Sequence, residues 1–421
     1  MPHRGKVVVV GQGYVGLPLA LLAAESGYLV LGLDSDSNKV ASIMAATVDI
    51  PGVSSRDIID FRDSGRYLAS AEYSESEGFD VALLTLPTPL KGEAPDLSHV
   101  LDAVRRLAPH VRRGALIIVE STTFPGTTRD VVRPLLENLT NLVAGDDFFL
   151  AYSPERVNPG DTEWGLLNTP KLVSGLTAKC LELGEQFYGS LGVKVVQVST
   201  LENAEFTKLL ENTFRLVNIS LINELSTVAR SLKVDMWECL DAADTKPFGF
   251  TKFSPGPGVG GHCLPVDPVY LSWVSSEKAG RRLQTIDTAI SVNKLMPAFI
   301  ADRLEEILVS RRIRGSKPKV LLLGVSYKAG VGDSRESPTV SLAEQLESKG
   351  FVVSALDNHV GPHAWPPSLA RIEGGPFKDV DVAVVLTAHG LEDWAVLLDS
   401  EIPILDTRNY IAGQNVEQLA R

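Results

Sequence analysis

Residues 6–10 (Lys-Val-Val-Val-Val) form an apolar run that stops at a glycine, and an apolar helical stretch follows to residue 24. Gly27 ends that helix, and residues 28–33 form a second apolar strand ending at Asp34. Further buried strands are predicted at 81–86, 116–120, 148–151 and 194–198, with helical stretches between them. Near-continuous apolar strands alternating with helices predict a parallel, doubly wound sheet. From 200 to 235 there is neither Gly nor Pro, and apolar residues recur at helical spacing. That predicts one long helix, a spine between two lobes and a candidate for pairing across a dimer axis. Helix is also predicted over 266–279 and 283–309. The basic, polar stretch 311–319 then reads as a boundary, after which the pattern restarts. Strands are expected at 320–323, 351–356, 380–386 and 402–405, with a helix over 338–348. The expected fold class is α/β, two doubly wound lobes joined by a long central helix. The expected domains are 1–199, 200–314 and 315–421.

Composition narrows the function classes. A chain of 421 residues is too long for one ordinary core, in keeping with two or three domains. Its net charge of −12 argues against nucleic acid as a partner, though not against an anionic small molecule met by local Lys and Arg residues. No apolar run reaches the roughly 18–20 residues of a membrane span, and residues 1–6 lack signal-peptide architecture. Cys180, Cys239 and Cys263 are odd in number and widely spaced, so neither a disulfide framework nor a zinc site is expected. A reducing cytoplasm and no bound metal are the expectation, with Cys180 and Cys239 as buried structural thiols.

The chemistry concentrates in a few motifs. Gly11-Gln12-Gly13-Tyr14-Val15-Gly16 follows a strand and opens a helix, and Asp34 lies 18 residues beyond Gly16 at the end of the next strand. In that context G-x-G-x-x-G is a Rossmann-like dinucleotide turn. The second lobe is smaller and lacks that motif, but its restarted α/β pattern makes it the second of two expected Rossmann-like lobes. The glycines let a pyrophosphate meet the helix N-terminus. Asp34 should accept the ribose hydroxyls and repel a 2′-phosphate, which favours NAD over NADP. Pro255-Gly256-Pro257-Gly258-Val259-Gly260-Gly261-His262-Cys263-Leu264-Pro265-Val266-Asp267 places a thiol in a sharply turning loop. A nicotinamide cofactor with a presented thiol points to oxidation past the aldehyde, through a thioester. Lys208 and Asn212 are one helical turn apart and share a face, where ammonium and amide together can hold an oxyanion. Glu205 precedes Lys208 by three residues. The Ser and Thr residues of 85–89 and 120–127 follow strands and either reach ligand or cap turns. Glu155 and Arg156 are an acid/base and orienting pair or a surface ion pair. The segment from Gly324 to Pro338 is too long for a plain turn and brings Lys328 and Arg335 into a glycine-rich connection, with Arg408 a third candidate cation for phosphate.

Together these blocks resemble the UDP-glucose/GDP-mannose dehydrogenase family, the four-electron nucleotide-sugar 6-dehydrogenases. The resemblance runs in order through GQGYVG, LTLPTPL, ESTTFPGTT, YSPERVNPG, LENAEFTKLLENTFR, PGPGVGGHCLPVDP, GVSYKAGVGDSRESP and LDTRN. It implies NAD as cofactor, Cys263 as nucleophile, and Lys208 with Asn212 as the oxyanion pair. It further implies Asp267 as the carboxylate supporting water and Lys208, Glu155 as the hydrolytic acid/base, and Thr123 at the nicotinamide and its water. Gly11, Gly13, Tyr14, Val15, Gly16, Asp34, Thr88, Thr123 and Arg335 map to cofactor contacts. Arg156, Val157, Lys208, Asn212, Arg215, Lys246, Gly260, Tyr327 and Lys328 map to the sugar-nucleotide pocket, with Lys246 reaching in from a second subunit in the family. Within the family the motifs resemble the UDP-N-acetylhexosamine branch, UDP-N-acetylglucosamine 6-dehydrogenases first. UDP-glucose, UDP-N-acetylmannosamine and GDP-mannose enzymes are the alternatives. The expectation is a homodimer acting on a UDP-sugar, without nucleic-acid or membrane partners. A two-electron β-hydroxyacid-type dehydrogenase would need neither the Cys263 loop nor the second lobe. A silent NAD-binding regulator would not need Cys263, Lys208, Asn212 and Asp267 intact.

Overall fold

A computed structural model describes residues 4–48, 50, 52–157, 163–313, 317–373, 377, 379–390, 397–398 and 400–421. Residues 158–160 of the YSPERVNPG motif and 314–316 at the expected boundary lie outside the described residues. The chain forms two compact units, one of residues up to Glu211 with Trp273–Arg281, the other of Asn212–Ser272 with Arg282–Arg421.

The first unit begins with β1 (Lys6–Val10), α1 (Gly16–Glu25), β2 (Leu29–Leu33), α2 (Ser37–Met44), α3 (Ser55–Asp63), β3 (Tyr67–Ser70) and β4 (Val81–Leu84). A two-residue ribbon, β5 (Leu90–Lys91) with β6 (Ala94–Pro95), leads to α4 (Ser98–Leu107), β7 (Leu116–Val119), α5 (Arg133–Thr140) and β8 (Phe149–Tyr152). The unit continues with β9 (Lys171–Gly175), α6 (Ala178–Ser190) and β10 (Val195–Gln197). Eight strands make one sheet in the order β10-β9-β8-β7-β4-β1-β2-β3. Central strands such as Val81–Leu84 and Leu116–Val119 are buried along their whole length because helices cover both faces. The parallel expectation holds for the six strands from β8 to β3 but fails at β9, which runs antiparallel to β8, Ala151 facing Gly175 and Tyr152 facing Ser174, and carries β10 parallel to itself. The expected strands omitted β9, which starts on a lysine, and β3, which carries an exposed Leu68.

The expected spine is α7 (Leu201–Ala229), shorter than the Gly- and Pro-free run. It ends in a turn where Lys233 takes φ +55°, and Asp235 then caps α8 (Met236–Asp244) by accepting the Trp237 and Glu238 N–H groups. Cys239 is exposed, not buried as expected, because α8 buries Met236, Trp237 and Leu240 on its other face. Cys180 is buried. Beyond α9 (Asp267–Ala279) and α10 (Gln284–Ser310), the second unit holds β11 (Lys319–Leu323), α11 (Pro338–Ser348), β12 (Val352–Leu356), β13 (Val382–Val385), β14 (Ile404–Asp406) and β15 (Val416–Gln418). These strands form a parallel sheet in the order β12-β11-β13-β14-β15, the doubly wound pattern again. Among the described residues, no helix is long and apolar enough to cross a membrane.

Candidate active site

The glycines of the first turn are not equivalent. Gly11 has φ +95°, and a Cβ there would lie 2.6 Å from the Thr85 carbonyl oxygen. A Cβ on Gly16 would lie 1.8 Å from the Gly11 carbonyl oxygen, so only glycine lets α1 start that close to the turn. At Gly13 nothing lies within 4 Å of the Cβ position, leaving open space over the helix N-terminus where a pyrophosphate can approach. Gln12 locks the turn from beneath: its amide donates to the Val9 carbonyl at 2.9 Å, and its Oε1 accepts from the Tyr67 hydroxyl at 2.8 Å. Asp34, ending β2, accepts from the Gln12 N–H and from the Lys39 ammonium, each at 2.9 Å. Tyr14 and Val15 are half-buried in the turn, and Thr88 is buried beyond β4. The residues fit a dinucleotide.

Around the ends of β7, β8 and β9 the first unit buries an ion cluster. The Lys171 ammonium sits 2.8 Å from Glu120 and 3.2 Å from Glu155, and Tyr188 donates its hydroxyl to Glu120. Burial pushes Glu120 above the usual carboxylate range, opposed by Lys171. Glu155 also accepts the N–H groups of Arg156 at 2.7 Å and Val157 at 2.6 Å. Its main-chain carbonyl takes the Lys208 ammonium at 2.6 Å, so α7 meets the turn after β8 at that residue. The Arg156 guanidinium turns away from Glu155, reaching Glu211 at 2.6 Å and the Pro170 carbonyl. Thr123 is buried and donates to Glu205 at 3.2 Å. Glu205 also accepts from the Gly126 N–H at 2.6 Å and from the Thr128 N–H and hydroxyl, gathering the ESTTFPGTT turn onto α7. Burial drives the Glu205 carboxyl up to about 7, against these hydrogen bonds.

In the second unit Asn212 donates to Asp267 at 2.5 Å, so two expected site residues are joined directly. Cys263 is exposed, and its carbonyl accepts the Asp267 N–H at 2.9 Å where α9 starts. The loop before it lies on the Gly324–Pro338 segment. A Cβ at Gly260 would come 2.6 Å from the Glu336 carbonyl oxygen, and one at Gly261 would strike the Tyr327 ring at 2.7 Å. The Gly261 N–H donates to the Arg335 carbonyl at 3.0 Å. Arg335 itself forms a fork with Asp333, 2.6 Å at its closest. Arg408 donates to the Leu386 carbonyl, and its guanidinium lies where a Cβ on Gly256 would stand. Arg215 and Lys246 are exposed. The sequence reading did not assign roles to Glu120, Lys171 or Tyr188. The available signal was a lysine opening an otherwise apolar strand and a glutamate closing another.

A cofactor turn of this geometry and a presented thiol define a dehydrogenase of the dinucleotide-dependent class. Residues 5–192 match the NAD binding domain of the UDP-glucose/GDP-mannose dehydrogenase family, 202–295 its central domain and 321–412 its UDP binding domain. The chain belongs to that family, as an NAD-dependent nucleotide-sugar dehydrogenase. It is 37% identical to a UDP-N-acetyl-D-mannosamine dehydrogenase of Pyrococcus horikoshii, covering 91% of this chain and 89% of that one. It is 32% identical to a UDP-N-acetyl-D-glucosamine 6-dehydrogenase of Pseudomonas aeruginosa over 84% of this chain and 82% of the other. A solved UDP-D-ManNAc dehydrogenase from Pyrococcus horikoshii superposes with a TM-score of 0.89 at 33% identity, covering 99% of each chain. A UDP-N-acetyl-mannosamine dehydrogenase from Staphylococcus aureus gives a TM-score of 0.83 at 30% identity, over 99% of this chain and 98% of that one.

Proposed function

We propose that the chain oxidises C6 of a UDP-N-acetylhexosamine to the carboxylate, with Cys263 carrying the intermediate. The observation that carries this reading is the thiol: exposed, at the end of a glycine-rich loop, with the Cys263 carbonyl accepting the Asp267 N–H where α9 begins. NAD, when bound, takes up the hydride released at each of the two oxidation steps. The alcohol becomes an aldehyde, to which the Cys263 sulfur adds. The resulting thiohemiacetal is oxidised to a thioester, and water releases the acid and the free thiol. Lys208 and Asn212 stabilise the oxyanion, and Asp267 fixes the Asn212 amide through its 2.5 Å hydrogen bond. Thr123 holds water near the reacting carbon, and Glu155 moves its proton during hydrolysis. Gly11, Gly13, Tyr14, Val15, Gly16, Asp34, Thr88 and Arg335 bind the cofactor. Arg156, Val157, Arg215, Lys246, Gly260, Tyr327 and Lys328 bind the sugar nucleotide. The labour divides as 1–199 for cofactor, 200–314 for dimerisation and the thiol, and 315–421 for UDP.

The sequence motifs put the gluco epimer first. The more similar relatives carry the manno epimer in their names, and we place UDP-N-acetylmannosamine ahead of UDP-N-acetylglucosamine on that support. A homodimer is supported by the exposed apolar stripe Phe206, Leu210, Phe214, Leu221, Leu225 and Val228 on α7, and a monomer by light scattering would remove it. The deciding experiment is NADH yield with a panel of both UDP-N-acetylhexosamines, UDP-glucose and GDP-mannose. Two NADH and one acid per sugar are expected, with no free aldehyde. Cys263→Ala should abolish acid formation while UDP-sugar and NAD still bind. One NADH per sugar, or acid formation by the Ala variant at the parent rate, would end the thioester reading. A preference for UDP-glucose or GDP-mannose would end the substrate reading.

A further inference from the structure

We propose that Lys171 is a positioning residue for Glu155, its buried ammonium fixing the carboxylate that moves the hydrolytic proton while Glu120 and Tyr188 fix Lys171 in turn. The inference rests on the acid/base reading of Glu155. It begins with strand direction. The antiparallel pairing of β8 and β9, continued along its register, sets position 171 opposite position 155. The parallel pairing of β7 with β8 brings Glu120, just past β7, alongside Ser153. A parallel β9 would carry its first residue to the far end of the sheet. The reversal at β9 therefore delivers a cation to the turn that holds Glu155.

The cluster is built to keep that cation still. The Lys171 side chain is 6% exposed and that of Glu120 is fully buried. Lys171 donates to Glu120 Oε2 and Glu155 Oε2, Tyr188 donates to Glu120 Oε1, and the ammonium lies 5.2 Å from the Tyr188 ring centroid. On Glu155 the two oxygens are divided: Oε2 takes Lys171, and Oε1 takes the N–H groups of Arg156 and Val157. With its carbonyl also held by Lys208, the residue is pinned at both its main chain and its side chain.

The charged and titratable groups facing Glu155 are Lys171 from β9, Glu120 after β7, Tyr188 from α6, Lys208 from α7 and Arg156 in its own turn. Burial pushes the Glu155 carboxyl up, but Lys171, the Val157 N–H, Lys208 and the Arg156 N–H together hold it below the usual carboxylate range. Without Lys171, burial and the Glu120 charge would dominate and the carboxyl would rise. A Glu155 that protonates at higher pH stops accepting a proton from water at higher pH.

The test is the pH profile of acid release in a single turnover of the full enzyme with NAD and a UDP-N-acetylhexosamine. Lys171→Met is expected to move the acid limb up by about one pH unit or more, with KM for the sugar nucleotide within about threefold of the parent. Lys171→Arg should recover part of the shift. Because Lys171→Met leaves Glu120 buried without its cation, Glu120→Gln/Lys171→Met supplies a charge-matched variant, its folding checked by circular dichroism, and its limb should stay displaced. A limb at the parent position in that double variant, with only the melting temperature lowered, would overturn the positioning role. Glu155→Gln separates the two readings. If it releases acid with the parent profile, the acid/base reading falls and takes this inference with it. If it loses acid release while the Lys171 variants keep the parent limb, only this inference falls.

Discussion

The two sheets begin with the same turn and use it differently. In each, the first strand ends on a glycine in the left-handed region, Gly11 at φ +95° and Gly324 at φ +93°. In each, a Cβ on that glycine would strike the backbone of a threonine past a neighbouring strand, Thr85 at 2.6 Å or Thr387 at 2.5 Å. In each, the second strand ends on an aspartate whose carboxylate accepts backbone N–H groups of the glycine turn. There the likeness stops. Asp34 takes the Gln12 N–H, the Asp36 N–H and a half-exposed lysine, and α1 starts within a few residues, leaving its N-terminus open. Asp357 takes the Val325 and Ser326 N–H groups, the His359 and Val360 N–H groups and the His389 ring, and its side chain is fully buried. The helix that follows does not begin until Pro338. One aspartate stays half-buried beside the turn proposed to take the cofactor, whereas the other ties down the long connection that carries Tyr327, Lys328 and Arg335.

The sharpest way to break this comparison is to remove each carboxylate. Asp357→Ala should cost about 3 kcal/mol or more of stability at pH 7, because it leaves the Val325, Ser326, His359 and Val360 N–H groups without their acceptor. Asp34→Ala should stay within about 1 kcal/mol and instead weaken NAD binding by about tenfold or more. Chemical denaturation and cofactor titration measure the two. The Asp357 effect also has a pH signature. Burial alone would raise its carboxyl, but His389 and the Ser326 and Val325 N–H groups hold it well below the usual carboxylate range. A depressed carboxylate stabilises fully above its ordinary value near 3.9, so the difference between parent and variant should shrink as pH falls below about 4. Equal destabilisation by the two substitutions would mean that both aspartates are structural.

Glu205 sharpens the same contrast from the other side. Like Asp357 it is buried and accepts several donors, but where Asp357 also meets the His389 ring Glu205 meets N–H and hydroxyl groups, and its carboxyl rises to about 7. A carboxyl raised on folding contributes stability that is full below its unfolded value and lost as pH climbs through the folded one. Parent stability should therefore fall relative to Glu205→Gln by about 3 kcal/mol between pH 4 and 8. Urea denaturation of both proteins across that range reads the difference directly. A flat difference would mean that the carboxyl is not raised.

What could be read from sequence follows a physical line. The dinucleotide turn and the Cys263 loop were legible because their constraints are local: a glycine is needed where a Cβ would strike backbone, and six consecutive residues suffice to show it. Partners fixed by strand direction were not. Nothing near Lys171 reveals that β9 runs against β8, yet that direction alone places its ammonium beside Glu155. The Gly- and Pro-free run from 200 read as one helix because the absence of breakers gives no stop signal. The chain still turns after Ala229, where Lys233 adopts φ +55° and Asp235 caps a new start. Cys239 shows the same limit, since its exposure depends on which face of α8 is buried.

The smallest effect concerns how well Asp34 excludes a phosphate. Its charge alone should repel the 2′-phosphate of NADP, but the Lys39 ammonium lies 2.9 Å away and partly neutralises it. Lys39 is 40% exposed, so the pair is screened by solvent and is worth no more than about 1 kcal/mol. Lys39→Ala unmasks the carboxylate without touching the ribose contacts. It should leave kcat/KM for NAD nearly unchanged and lower that for NADP, raising the NAD preference by up to about fivefold at low salt. The gain should fade as ionic strength rises, because an exposed ammonium acts through solvent. If NADP were used better after the substitution, repulsion by Asp34 would not be what selects the cofactor, and the first turn would discriminate by shape instead of charge.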